Sequence, residues 1–256
     1  MDLFCRQMGS GDPVIILHGL FGLSDNWVTF GRRLATHYQV LIPDLRNHGQ
    51  SPHSDRFDFQ LLANDLSELI ESHGLRDVIL IGHSMGGKTA MLFALQNPEK
   101  VKRMIVVDIA LKRSYAGREH QHLMDAMLAV DLTIARSRGD VDRQLKTWEA
   151  SEKLRLFLLK NLYWRDRQTL DWRLNLNSLN LNLPAVAEGV DFPGTYPGPV
   201  LFLRGGLSDY LTDLDWPEIQ MKFPAARVET IANASHWVHA DAPGEFYDRV
   251  ALFLSH

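Results

Sequence analysis

The residues with most chemical content lie in "VILIGHSMGGKTAM", residues 78–91, where two patterns start from the same Gly82. "GHSMG" fits G-x-S-x-G, which sets a nucleophilic serine, Ser84, on a sharp strand-to-helix turn. "GHSMGGKT" fits G-x-x-x-x-G-K-[ST], a loop whose amides and lysine cradle nucleotide phosphates. Both patterns need an apolar strand before them and a helix after. Because Gly and Ser are common residues, G-x-S-x-G arises by chance in roughly one chain in ten of this length. The surrounding residues have to decide.

The phosphate reading has a second match in Asp108, which ends the apolar run "MIVVDIA" as a magnesium-binding acid would. Against it, His83, Ser84 and Met85 stand where a cradle of converging N–H groups favours glycine. It also leaves "LHGLFG" (17–22), "DLRNHGQS" (44–51) and "NASHWVHAD" (233–241) without a task. The serine reading employs these stretches. A serine hydroxyl attacks only when a base takes its proton, and the base must be held by an acid. The elbow needs Gly82 and Gly86 because side chains there would collide. The helix opening at Met85 aims its first amides at the reacting carbonyl, so the Met85 N–H is one candidate oxyanion donor. The turn at His18-Gly19 offers the N–H of Leu20 as the other, with Phe21 as its alternative.

Serine, acid and histidine follow in that chain order in such folds, which makes His236 the candidate base. His239 reads as a packing or surface histidine. Taken as a metal pair, the two histidines lack a third ligand at recognisable spacing, so no metal is expected. The acid is open. The turn in "VLFLRGGLSDYL" holds Ser208 and Asp209, while Asp108 ends the strand after the elbow. Either aspartate could instead be a helix cap or a solvated turn carboxylate.

These groups need a scaffold. "VIILHG" (14–19), "VLIPD" (40–44), "VILIGHS" (78–84), "MIVVDIA" (104–110) and "VLFLRG" (200–205) read as strands buried on both faces, hence a parallel sheet, with "RVETIA" (227–232) as a last strand and "LFCRQM" as an edge hairpin strand. Helical patterns alternate with them: "SDNWVTFGRRLATHY" opening on Ser24 and Asp25, "FQLLANDLSELIESHG" stopping at Gly74, "GGKTAMLFALQNP", and "PGEFYDRVALFL" with Pro243 in its first turn. The alternation stops between residues 112 and 195, where helical patterns succeed one another without a strand, and "WRLNLNSLNLNLPAV" reads as a short helix or extended piece with one apolar face. This predicts a core of residues 1–111 and 196–256, with an all-helical cap over the carboxyl ends of the strands, where ligands bind in open α/β sheets. Leu123, Met127, Phe157, Trp164 and Trp172 of the cap, with Phe21 beside the turn, either line an acyl pocket or hold the cap to the sheet.

Bulk properties narrow the partners. Of 256 residues, 45% are hydrophobic and 23% charged, with a formal net charge of −4, so nothing electrostatic points to nucleic acid or an anionic membrane. Cys5 is the single cysteine, which excludes an internal disulfide and tolerates a reducing compartment. The start has no basic, then apolar, leader pattern, and no run approaches bilayer length; a cytoplasmic protein is expected.

Taken together, "HGLFG" (18–22), "DLRNHGQSP" (44–52), "GHSMGGK" (82–88), "VVDIA" (106–110), "GGLSDY" (205–210) and "SHWVHAD" (235–241), with "WRLNL" (172–176), resemble the α/β-hydrolase superfamily, and within it the small YbfF-type bacterial esterases. The resemblance runs nearly end to end. It implies a mostly parallel eight-stranded sheet with a helical cap, and cofactor-free hydrolysis of small-molecule carboxylic esters or acyl thioesters. By position, Ser84 matches the nucleophile, His236 the base and Asp108 the acid, with Ser208 assisting the histidine; this chain departs from the pattern in also carrying Asp209. Lys88 occurs at the same place in that family and need not touch a phosphate. "DLRNHGQS" reads as a structural loop bracing the oxyanion turn. On the same fold, acyl transfer to an alcohol, carbon–carbon bond hydrolysis and non-catalytic ligand sensing are the competing functions.

Overall fold

The computed structural model describes residues 1–112 and 117–255. Its strands in chain order are β1 (Cys5–Met8), β2 (Pro13–Leu17), β3 (Gln39–Pro43), β4 (Val78–His83), β5 (Val101–Val107), β6 (Leu162–Trp164), β7 (Leu170–Trp172), β8 (Val200–Gly205) and β9 (Ala226–Ile231). The helices are α1 (Val28–Leu34), α2 (Phe59–Ser72), α3 (Met85–Gln96), α4 (Gly117–Leu128), α5 (Arg138–Leu145), α6 (Glu152–Leu159), α7 (Leu176–Ala187), α8 (Trp216–Lys222), α9 (Val238–Asp241) and α10 (Pro243–Leu254). Seven strands form one sheet in the order β1-β3-β2-β4-β5-β8-β9. Every neighbouring pair in it is parallel except β1 with β3.

The central strands are apolar along their whole length because both faces are covered. Their side chains alternate between two cores. Ile15, Leu17, Leu80, Met104, Val106 and Phe202 share one with α2 and α3, whereas Val14, Ile16, Ile81, Ile105, Val107 and Leu203 share the other with α10. Helix α2 starts where the Asp58 carboxylate accepts the Leu61 N–H at 2.7 Å, buries Leu62, Leu66, Leu69 and Ile70, and is followed by Gly74 at φ +61°.

Three expectations are corrected. The sheet has seven strands among the described residues, not eight. Residues 1–4, the remaining stretch at that edge, bond to a loop instead: the Phe4 carbonyl accepts the Asp44 N–H, and the Phe4 N–H donates to Ser51 Oγ, both at 2.9 Å. Strand β1 is at the edge, but it pairs with β3 rather than in a hairpin with β2. Gly9 and Gly11, at φ +73° and +111°, swing the chain across so that β2 lands on the far side of β3. The segment 112–195, of which 113–116 lie outside the described residues, is not all helix. Between α6 and α7 it carries the antiparallel pair β6–β7, whose turn is closed by Asp166 Oδ1 accepting the N–H groups of Gln168 and Thr169. Aromatic residues flanking a polar turn outweighed the helical run around them. "LNSLNLNLPAV" is helical, capped by Asn175 Oδ1 on the Ser178 N–H.

The loop between β3 and α2 is tied down by charge. Arg46 forks onto Asp65 of α2, Nε to Oδ2 at 2.6 Å and Nη2 to Oδ1 at 2.7 Å, and both side chains are buried. Removing one partner strands the other charge out of water. Asp65→Ala is therefore expected to cost about 3–5 kcal/mol of unfolding free energy in urea denaturation, with the same fold at low denaturant by circular dichroism.

Candidate active site

Ser84 links β4 to α3 at φ +53°, ψ −117°, a conformation outside the ordinary regions for a residue with a Cβ. Its neighbours make the turn possible. A Cβ on Gly82 would lie 2.3 Å from the Gly86 carbonyl oxygen, and one on Gly86 would lie 2.4 Å from that of Leu17. The Ser84 N–H is spent on the Val107 carbonyl at 3.1 Å, and the Ser84 carbonyl accepts the first helical bond, from Lys88 N–H at 3.0 Å. The serine thus stands at the helix N-terminus with Met85 as first helical residue.

At the end of the neighbouring strand, Asp108 also has a positive φ, +51°, and is fully buried. Three donors converge on its carboxylate: Gly205 N–H on Oδ1 at 2.9 Å, with the Ser208 hydroxyl and His236 Nδ1, at 2.8 Å, sharing Oδ2. With Nδ1 donating, His236 keeps Nε2 free to accept. Its ring lies on Tyr210, centroids 3.6 Å apart and planes 17° from parallel, and its backbone carbonyl accepts Nε2–H of His83 at 2.9 Å. The carboxylate on the histidine is therefore that of Asp108. Asp209, its rival, lies exposed, because the turn after β8 points Ser208 inward and the next side chain outward.

The turn after β2 is closed by Gly22 N–H on the Gly19 carbonyl at 3.0 Å, with Phe21 at φ +60°. Both sides of the Phe21 peptide are engaged. Its N–H donates to His48 Nε2 at 3.3 Å, and its carbonyl accepts the amide of the fully buried Asn161 at 2.8 Å. The Phe21 N–H is thus already engaged, which leaves Leu20 as this turn's candidate oxyanion donor. "DLRNHGQS" braces this turn: His18 Nε2 accepts the Leu45 N–H at 2.9 Å, and Asp44 accepts Ser24 N–H at 2.6 Å and Gln50 N–H at 2.9 Å.

Ser84 and His236 line one crevice with Leu20, Phe21, Leu123, Phe157, Tyr210 and Trp237. It encloses only about 20 Å³, room for roughly one water. Of the expected pocket residues, Phe21, Leu123 and Phe157 are here. Three are elsewhere. Met127 and Trp172 border a separate depression with Leu174 and Leu176, and Trp164 is half exposed beside Arg167. The sequence reading missed Tyr210, Trp237, Glu119 and His120. The first two stand beside Ser208 and His236 in stretches already singled out; Glu119 and His120, on α4, had no local signal. Among the described residues, no group of three or more His, Cys, Asp or Glu is placed to hold a metal ion.

The phosphate-loop reading is overturned by its own lysine. Lys88 is buried, and its ammonium donates to the carbonyls of Ala187 and Glu188 at the end of α7. Burial pulls its pKa down to about 8. Thr89 Oγ1 donates to the Met85 carbonyl at 2.9 Å, an ordinary bond within the helix.

A strained serine at a strand-to-helix turn, with a histidine held by a buried aspartate, is the arrangement of a serine hydrolase, and comparison with known proteins agrees. Residues 12–243 match the family model for the alpha/beta hydrolase fold, and the chain belongs to that family. It is 38% identical over 250 residues to an sn-1-specific diacylglycerol lipase of Xenopus laevis, covering 95% of this chain and 80% of that one. Esterase YbfF of Escherichia coli is 29% identical over 250 residues, covering 98% and 96%. Among solved structures, an esterase from a marine microorganism superimposes with a TM-score of 0.95 at 41% identity, covering 98% of both chains. No helix among the described residues is long and apolar enough to cross a membrane.

The site is packed with neutral histidines. Desolvation pushes His18 and His120 down to about 4 and His48 and His239 to about 3, and holds His83 well below its usual value. In the unfolded chain these rings take up protons below about pH 6.5. Their contribution is thus fully present above pH 6.5 and lost as pH falls toward 4, each histidine adding a slope of about 1.4 kcal/mol per pH unit. The urea midpoint is expected to drop steeply between pH 6.5 and 4.5; a flat midpoint over that range would show these rings charged in the fold.

Proposed function

We propose that the chain is a serine hydrolase of carboxylic esters or acyl thioesters that works through an acyl-enzyme on Ser84. The observation that carries this reading is the 2.8 Å bond between His236 Nδ1 and the buried Asp108, with Ser84 in the same crevice. The names of the relatives, a lipase and two esterases, support ester cleavage as the reaction.

In the proposed mechanism His236 Nε2 takes the Ser84 proton as Oγ attacks the carbonyl carbon. The resulting oxyanion is held by the Met85 and Leu20 amides, each such donor being worth about 100- to 1000-fold in rate. The imidazolium then protonates the leaving alcohol or thiol, leaving the acyl group on Ser84. Water, deprotonated by the same histidine, releases the acid. Asp108 keeps His236 in the tautomer that accepts at Nε2, and Ser208 and the Gly205 amide satisfy the remaining oxygens of the buried carboxylate. Segment 112–195 acts as the cap, contributing Leu123 and Phe157 to the crevice. No metal or cofactor enters any step.

Hydrolysis of p-nitrophenyl esters and acyl-CoA thioesters by wild type and variants tests this. Ser84→Ala should abolish turnover and covalent labelling by a fluorophosphonate, and wild-type turnover by that variant would overturn the reading. Asp108→Asn should lower kcat by about 10⁴-fold, the loss expected when the histidine is held in the wrong tautomer. Asp209→Asn should leave kcat unchanged.

A further inference from the structure

Asn161 lies just beyond α6, fully buried, with its backbone fixed on both sides. Its N–H donates to the Leu158 carbonyl at 3.0 Å, and its carbonyl accepts the Arg173 N–H at 2.7 Å. The Arg138 guanidinium donates to the flanking Leu159 and Leu162 carbonyls at 2.6 and 2.7 Å. From this mount the side-chain amide makes one hydrogen bond among the described residues, from Nδ2 to the Phe21 carbonyl at 2.8 Å. Its Oδ1 is buried with no partner among them. An unpaired buried oxygen is unfavourable, and an apolar side chain of the same size would fill the place without one. What the amide adds there is the bond to Phe21.

Phe21 is a residue at which such a restraint has an effect. At φ +60° it occupies the left-handed region, which is unfavourable for a residue with a Cβ. His48 Nε2 accepts its N–H at 3.3 Å, a long bond, so the Asn161 amide is the firmer of its two holds. If Phe21 relaxes, the chain on its N-terminal side moves, and that chain is Leu20. We propose that Asn161 is a positioning residue for the oxyanion hole: carried by the segment over the sheet, it keeps Phe21 in the left-handed conformation and thereby fixes the Leu20 N–H beside Ser84. The proposal rests on the reading of Ser84 as nucleophile and Leu20 as oxyanion donor. It adds that the hole is complete only while the end of α6 is seated on the turn after β2.

The test is kcat and KM on p-nitrophenyl acetate, with inhibition by an alkyl trifluoromethyl ketone, for wild type, Asn161→Leu and Asn161→Ala. Ser84 Oγ adds to the ketone carbon, its proton passes to His236, and the ketone oxygen becomes the oxyanion that the hole must hold. Asn161→Leu removes one unpaired buried oxygen, Oδ1, and leaves another, the Phe21 carbonyl, so its urea midpoint should stay close to that of wild type. Asn161→Ala covers the case in which leucine overpacks the site. A donor displaced rather than deleted loses part of its full worth, so kcat should fall about 10- to 100-fold in both variants. KM should stay within about twofold of wild type, and the inhibition constant of the ketone should rise by the factor that kcat loses. A lowered urea midpoint with wild-type kcat, or a loss of kcat with unaltered affinity for the ketone, would overturn the proposal and leave the serine reading standing. Neither turnover nor a ketone adduct in wild type would overturn both.

Discussion

Everything at this site hangs on the backbone of Ser84. At φ +53° the residue projects its Oγ away from the sheet and opens a helix at once, and the cost of that conformation, of order 1–3 kcal/mol, has to be met by the packing around it. The packing is backbone against backbone. Gly82 lies under the Gly86 carbonyl, Gly86 against the end of β2, and the Ser84 N–H on β5. Because two neighbouring strands hold the turn, it cannot relax without breaking the centre of the sheet.

The same centre also sets the acid. β5 runs parallel to β4 and ends one strand away, so Asp108 arrives beside the elbow at a second positive φ. β8 on its far side supplies the Gly205 amide and the Ser208 hydroxyl. A buried carboxylate needs its lone pairs filled. Here they are filled by the same turn that stacks Tyr210 on the imidazole, so orienting the histidine and satisfying the acid are one packing problem.

The turn after β2 depends on distant parts of the chain. His48, from the loop after β3, holds the Phe21 N–H, and Asn161, from beyond α6, holds its carbonyl. The same loop reaches α7, where the Asn47 carbonyl accepts the Asn175 N–H at 3.0 Å and its side-chain amide donates to Ser178 at 3.2 Å. The segment over the sheet and the peptide next to Leu20 are thus joined through a few buried polar side chains. Such networks hold their members in place because a broken bond leaves a group out of water.

The amino-acid sequence by itself determined what local geometry dictates. Runs apolar at every position meant strands covered on both faces; Gly82 and Gly86 around Ser84 meant the elbow; and the serine-first order pointed to His236. The choice between Asp108 and Asp209 belonged to tertiary structure, since each ends a strand or turn near the site and only the inward face of the β8 turn separates them. The same holds for the residues that line the crevice. Met127, Trp164 and Trp172 have the same apolar character as Leu123 and Phe157, and the β6–β7 pair, formed by contacts that hydrophobic periodicity does not encode, carries the two tryptophans away from the crevice. Lys88 is the sharpest case. Its spacing from Gly82 fits a phosphate loop as well as any lysine could, but a helix end contributed from a hundred residues later claims its ammonium, and no local pattern contains that helix.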